Sequence, residues 1–171
     1  MEKFRNKYKS GSTRLSGYDY HRQGIYFITV VAKNREHYFG EIKEGEFYPN
    51  ELGIVVKREW LKTPEIRPEM NINLDEFCVM PNHFHGLVEI GENIYNHNSQ
   101  EGNQFGPQLN NLPSIIRGFK SAVTIFARNN NILFDWQNRY HDHIVRNDSD
   151  LERIRSYILN NPAKWDEDDL F

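Results

Sequence analysis

The stretch VMPNHFHGLVEI, residues 79–90, constrains the fold more than any other part of the chain. On an extended strand, successive side chains point to opposite faces. His83 and His85 therefore project from one face, about 6.6 Å apart along the backbone, and Phe84 points to the other. The layer that receives Phe84 must be apolar, and Leu87 continues the histidine face. INLDEFCVM at 72–80 precedes this run, and Pro81–Asn82 fits a tight turn, so the two segments read as an antiparallel strand pair. Gly86 leaves room for backbone or substrate to approach closely.

Other segments fit round that pair. GIYFITVVAKN at 24–34 is β-branched and aromatic and reads as a core strand. FGEIKEGEFYPN at 39–50 reads as a small hairpin turning at Glu44–Gly45. In 52–64, Leu52, Val55, Val56 and Trp60 recur at helical spacing, with Pro64 as the stop. Residues 113–130 form an amphipathic helix: Pro113 sits in its first turn, and Ile116, Phe119, Val123 and Phe126 make its packed stripe. A short strand is expected near 140–145. The clearest helix spans 149–162, capped by Ser149 or Asp148, with Glu152 in a capping box and Pro162 at its end. Residues 91–112 carry almost no periodic apolar signal and read as a flexible loop. Three or four antiparallel strands with two or three long helices predict an α+β fold, with the sheet on one side and helices on the other.

A chain of 171 residues can bury one sizeable core, so a single domain over 1–171 is expected, with a basic extension over about 1–22. Its 11 Phe, 9 Tyr and 3 Trp are more than a disordered chain carries. No uninterrupted apolar run is long enough for a membrane span, and no apolar segment follows the basic N-terminus as in a secretory signal, so a cytoplasmic protein is expected. Cys78, the single cysteine, excludes an internal disulfide framework and a thiolate zinc cluster.

The net charge of −3 argues against a polyanionic partner, but its distribution does not. Residues 1–35 carry eight Lys/Arg against two Asp/Glu, and 36–80 carry five against ten. Residues 113–165 carry eight against five, ahead of the acidic tail DEDD at 166–169. A chain so divided can present a basic face while staying acidic overall.

Two imidazoles one residue apart can converge on one metal ion, or they can be packed, hydrogen-bonded core side chains. The pair alone does not choose. There is no HExxH helix of a zinc protease and no PCxxC of a nucleoside deaminase. A second pair, His141 and His143, has the same spacing in more polar surroundings. Tyr157 and Asn161 stand one helical turn apart. They offer a hydroxyl able to act as a nucleophile and a neutral oxygen able to ligate a metal, although a surface helix would also accommodate both.

Taken together, SGYDY at 16–20, FITV at 27–30, LDEFCVMPNHFHGLVEI at 74–90, IIRGFKS at 115–121, WQNRYHDHIVRN at 136–147 and IRSYILNNPAKW at 154–165 resemble a known family. They resemble the single-tyrosine transposases with a paired-histidine (HUH) motif, of the IS200-like type. The nearest likeness is to the subgroup associated with repeated extragenic palindromes (REP). The resemblance spans most of the chain in the family's order.

It implies a ferredoxin-like antiparallel sheet covered by helices. It implies His83 and His85 as metal ligands, Asn161 completing the shell, Tyr157 as the attacking tyrosine, and His143 as an active-site histidine. The implied reaction is cleavage and strand transfer of single-stranded DNA at hairpin or palindromic sites, through a 5′-phosphotyrosine. The implied cofactor is Mg²⁺ or Mn²⁺, with Zn²⁺ or Ni²⁺ as other ions the imidazoles accept.

Arg14, Arg117, Lys120, Arg139, Arg146 and Arg155 are expected to contact the DNA backbone, and Arg153 to offset charge near Tyr157. A non-cutting hairpin-binding protein and a water-using metal phosphodiesterase are the alternatives. Whether the protein acts as a monomer or a homodimer is open.

Overall fold

The computed structural model describes residues 15–97 and 109–170. Arg14, most of the expected basic extension and the middle of the expected 91–112 loop lie outside those residues.

The first strand, β1 (Gly24–Ala32), is the hub of the sheet, with Tyr26, Ile28 and Val30 fully buried. It pairs antiparallel with β5 (His83–Ile90) on one side and β6 (Trp136–Val145) on the other. β4 (Ile72–Val79) pairs with β5, giving a four-stranded antiparallel sheet in the order β4-β5-β1-β6. The turn at Met80–Asn82 joins β4 to β5, as expected.

The small hairpin β2 (Gly40–Lys43) and β3 (Glu46–Pro49) turns at Glu44 and Gly45, with φ of 52° and 78°. That left-handed pair suits the twist of a two-residue hairpin loop.

Helices flank both faces of the sheet, which refines the expected one-sided cover. Against one face lie α1 (Glu51–Leu61) and α3 (Leu112–Asn129), whose Trp60 and Phe119 rings meet Phe84 at 4.9 and 5.2 Å between centroids. This is the apolar layer that the alternation at 83–85 requires. Gly86 belongs to it as well: a Cβ there would come within 2.9 Å of the Phe84 ring and 3.0 Å of Trp60. The glycine makes room for packed aromatics, not for substrate. On the opposite face, α4 (Asp148–Asn160) buries Ile154 and Ile158 against Leu87.

Three local readings are corrected. The strand near 140–145 begins at Trp136. Its first half, Gln137–Arg139, is exposed and polar because β6 is an edge strand, so it shows no apolar alternation. α1 ends at Leu61, and Pro64 sits inside the four-residue α2 (Thr63–Ile66), where the first turn of a helix tolerates proline. α4 is capped by Asn147, whose side chain accepts from the Asp150 amide; Glu152 pairs with Arg155 instead of closing a capping box. α3 keeps its expected start, with a capping box formed by Asn111 and Ser114.

Candidate active site

The two histidines open the site from the first residues of β5. Their register places His85 opposite Thr29 and His83 opposite Val31 on β1. Both rings are buried, 4.5 Å apart between centroids, on the face covered by α4.

Each Nδ1 is occupied. His83 Nδ1 lies 2.7 Å from Asn82 Oδ1, and His85 Nδ1 lies 2.8 Å from Thr29 Oγ1. The Asn82 amide nitrogen donates to the Arg35 and Leu170 carbonyls, which turns Oδ1 toward His83. His83 therefore donates through Nδ1–H and keeps the Nε2 lone pair for the site. Burial lowers the pKa of both imidazoles, with His83 also disfavouring charge on His85, so the rings are held in the neutral, ligand-competent form.

Two further groups close round Nε2. The Asp168 carboxylate, from the chain beyond α4, stands 3.6 Å from His83 Nε2 and is almost wholly buried. Asn161, one residue past α4, donates its amide NH₂ to Asp168 at 2.9 Å. That bond leaves Asn161 Oδ1 buried without a hydrogen-bond partner, as is His83 Nε2. Buried polar atoms normally have partners, so two orphans facing one cluster mark a place built for another group.

The ligand atoms of His83, His85 and Asp168 lie within 4.8 Å of one another, the one such cluster among the described residues. Two neutral nitrogens, an anionic oxygen and an amide oxygen fit a divalent metal ion. The chain thus carries a candidate metal site.

Tyr157 completes the constellation. Its hydroxyl is 3.3 Å from His85 Nε2, and its ring packs edge-on against His85 and Phe27 at 5.3 and 6.1 Å. The residue is 44% exposed, so one side of the ring borders an open groove of about 350 Å³. Burial, then the charge of Asp168, pushes the phenol up to about 12. At neutral pH it is protonated. All these groups belong to one chain.

The remaining expected residues are more dispersed. His143 lies on β6 with Nε2 2.7 Å from Asp150, which also accepts from Arg153 at 2.6 Å. The His143 and Arg153 partners hold the Asp150 carboxyl down to about 2. Arg153 thus lines the groove beside Tyr157 with its guanidinium already engaged. Arg155 points away, in a two-pronged pair with Asp75 of β4 and a second contact to Glu152.

Arg117 and Lys120 line a separate groove of about 770 Å³ between α3 and β6, where Lys120 Nζ donates to the Gln137 carbonyl at 2.7 Å. Arg139 and Arg146 are exposed on and just after β6.

Sequence reasoning did not single out Asp168, Asn82 or Thr29. Asn82 abuts the histidine motif, and Thr29 sits two residues from Phe27 on the strand that must pair with it; both were within reach. Asp168 is one of four acids in a row, and only the tertiary fold distinguishes it.

No protein-family model matches the chain. It is 39% identical over 96% of its length to an uncharacterized protein of Haemophilus influenzae, covering 97% of that protein. It is 29% identical over 85% of its length to a second H. influenzae protein, described as "Putative REP-associated tyrosine transposase", covering 74% of it. Among solved structures, a REP-associated tyrosine transposase bound to a REP hairpin superposes with a TM-score of 0.59 at 21% identity, over 88% of this chain and 74% of that one. No helix among the described residues is long and apolar enough to cross a membrane.

Proposed function

We propose that this chain is a tyrosine transposase of the HUH/REP type, which cleaves and rejoins single-stranded DNA beside hairpins with Tyr157 as nucleophile. The observation that carries the reading is the 3.3 Å approach of the Tyr157 hydroxyl to the histidine pair, within one chain. A water-using hydrolase has no need of a half-exposed phenol at that position.

In this reading the Tyr157 oxygen forms a bond to a backbone phosphorus, and the bond from phosphorus to the 3′ oxygen breaks. The phenolic proton passes to water, and the departing 3′ oxygen takes up a proton to become a hydroxyl. The strand on the 3′ side of the cut stays on the protein through its 5′ phosphate, as a 5′-phosphotyrosine, and a second strand's 3′-hydroxyl reverses the exchange. Splitting one transfer into two steps conserves the phosphodiester.

His83, His85, Asp168 and Asn161 Oδ1 would hold the metal ion; this mixed nitrogen and oxygen set suits Mn²⁺ or Mg²⁺ and also accepts Zn²⁺ or Ni²⁺. A bound ion supplies positive charge that polarises a non-bridging phosphate oxygen. The protein's own share is position. Asn82 fixes the His83 tautomer, Thr29 anchors the His85 ring, and Phe27 holds the Tyr157 ring against His85.

His143 acts through Asp150, fixing Arg153 and the first turn of α4 rather than touching the reacting atoms. Arg117, Lys120, Arg139 and Arg146, with Arg14, serve as backbone contacts, and such contacts position DNA without reading its sequence. Arg155 fastens α4 to β4 instead.

The test is incubation of the protein with a labelled hairpin carrying a single-stranded flank, in Mn²⁺ or Mg²⁺. A covalent protein–DNA species should form with wild type and not with Tyr157→Phe. Cleavage by Tyr157→Phe at the wild-type rate, or no adduct in any divalent ion, would overturn the reading.

A further inference from the structure

The groove beside Tyr157 contains two cations, Arg153 and Lys164. They are not equivalent. Arg153 is committed to Asp150 at 2.6 Å, and Asp150 is committed in turn to His143. Lys164 is exposed, and no carboxylate lies within ion-pair distance of it among the described residues. Acidic side chains are close by, since Glu167 and Asp168 line the same groove, but they do not engage it.

The backbone under Lys164 is fixed although its side chain is not. Its amide donates to the Asn161 carbonyl at 3.2 Å, which ties it to the residue whose Oδ1 faces the metal cluster. Its neighbour Trp165 is buried and stacks over His83 at 6.0 Å between centroids. Lys164 therefore starts from an anchored position between the candidate metal site and solvent, at the edge of the space a nucleotide must occupy to reach Tyr157.

A phosphodiester entering the groove also passes Glu167, whose carboxylate the ion proposed for His83, His85 and Asp168 does not offset. An unengaged ammonium there binds the phosphate without first having to break an ion pair. Arg153 would have to leave Asp150 to do the same. Lysine also suits the task as a mobile point charge, because three rotatable donors can follow a phosphate as the strand changes partners.

We propose, resting on the function proposed above, that Lys164 binds a phosphate of the single strand next to the scissile one, and that it does so in preference to Arg153. Lys164 is then a positioning residue for the DNA.

The experiment measures binding of a fluorescent hairpin with a single-stranded flank, by anisotropy across a salt series. It is made in the Tyr157→Phe background so that cleavage does not intervene. Each phosphate contact to a single strand contributes about 0.7 to the slope of log affinity against log salt. Lys164→Gln should flatten the slope by about that amount, Lys164→Arg should keep it, and Arg153→Gln should change it less than Lys164→Gln. Thermal midpoint and Mn²⁺ binding should be the same for Lys164→Gln as for its parent.

An unchanged slope in Lys164→Gln, with the parent binding DNA and the wild type forming adduct, overturns this proposal alone. Failure of the parent to bind DNA, with no adduct from wild type, overturns the functional reading and the Lys164 role with it.

Discussion

The Tyr157 hydroxyl and His85 Nε2 are 3.3 Å apart across a separation of 72 residues, and both are supplied by the same chain. One copy of the protein therefore holds the complete arrangement. Mixing His85→Ala protein with Tyr157→Phe protein should give no covalent adduct on hairpin DNA. Adduct from the mixture, detected by denaturing electrophoresis, would mean that α4 exchanges between copies.

Asn82 lies outside the ligand set but controls it. Its amide oxygen faces His83 Nδ1, and its amide nitrogen holds the Leu170 carbonyl, two residues from Asp168. Loss of a group that orients a metal-ligating histidine typically weakens metal affinity by about 10–100-fold. Asn82→Ala should lower Mn²⁺ affinity by that order in calorimetry, whereas His83→Ala should abolish binding. Wild-type Mn²⁺ affinity in Asn82→Ala would remove Asn82 from the site.

Gly86 lies between the Phe84 and Trp60 rings, both fully buried, so an added methyl has no space to enter. Overpacking of this kind costs about 1–3 kcal/mol. Gly86→Ala should lose stability of that order in urea unfolding, with little change in Mn²⁺ affinity per folded molecule, because the methyl points away from the histidine face.

Acid should loosen α4 before it reaches the core. Asp75 is lowered from its usual pKa by the Arg155 hydrogen bonds, and Asp150 is lowered to about 2 by His143 and Arg153. A carboxyl depressed in the folded state stabilises fully above its unfolded value of about 3.9, and that contribution fades as pH falls through the folded value. The stability difference between wild type and Asp150→Asn should therefore shrink between about pH 5 and about pH 2 in denaturant titrations. A difference that grows on acidification would contradict this assignment.

Much of the site was legible because it rests on a period of two. His83 and His85 share a face, and Phe84 faces apolar rings, for purely geometric reasons that any strand obeys. Helical spacing puts Tyr157 and Asn161 on one face, but their roles come from the family resemblance and not from the spacing. What stayed hidden depends on how distant segments meet. Asp168 cannot be told from Asp166 or Asp169 until the chain after α4 folds back, with Trp165 against His83. The start of β6 was missed because an edge strand needs no apolar alternation, and Asn147 was passed over as a cap in favour of the two residues after it.

The helix that carries Tyr157 is moored to the two outermost strands, through Arg155 to Asp75 on β4 and through Asp150 to His143 on β6. Between these moorings, Leu87, Ile154 and Ile158 form a small apolar cluster beneath it. On the proposed function, added electrolyte should therefore act twice on turnover, by weakening the grip on the nucleic acid and by slackening these moorings. Rate measurements over a range of ionic strength will mix the two effects, and equilibrium titrations are the way to tell them apart.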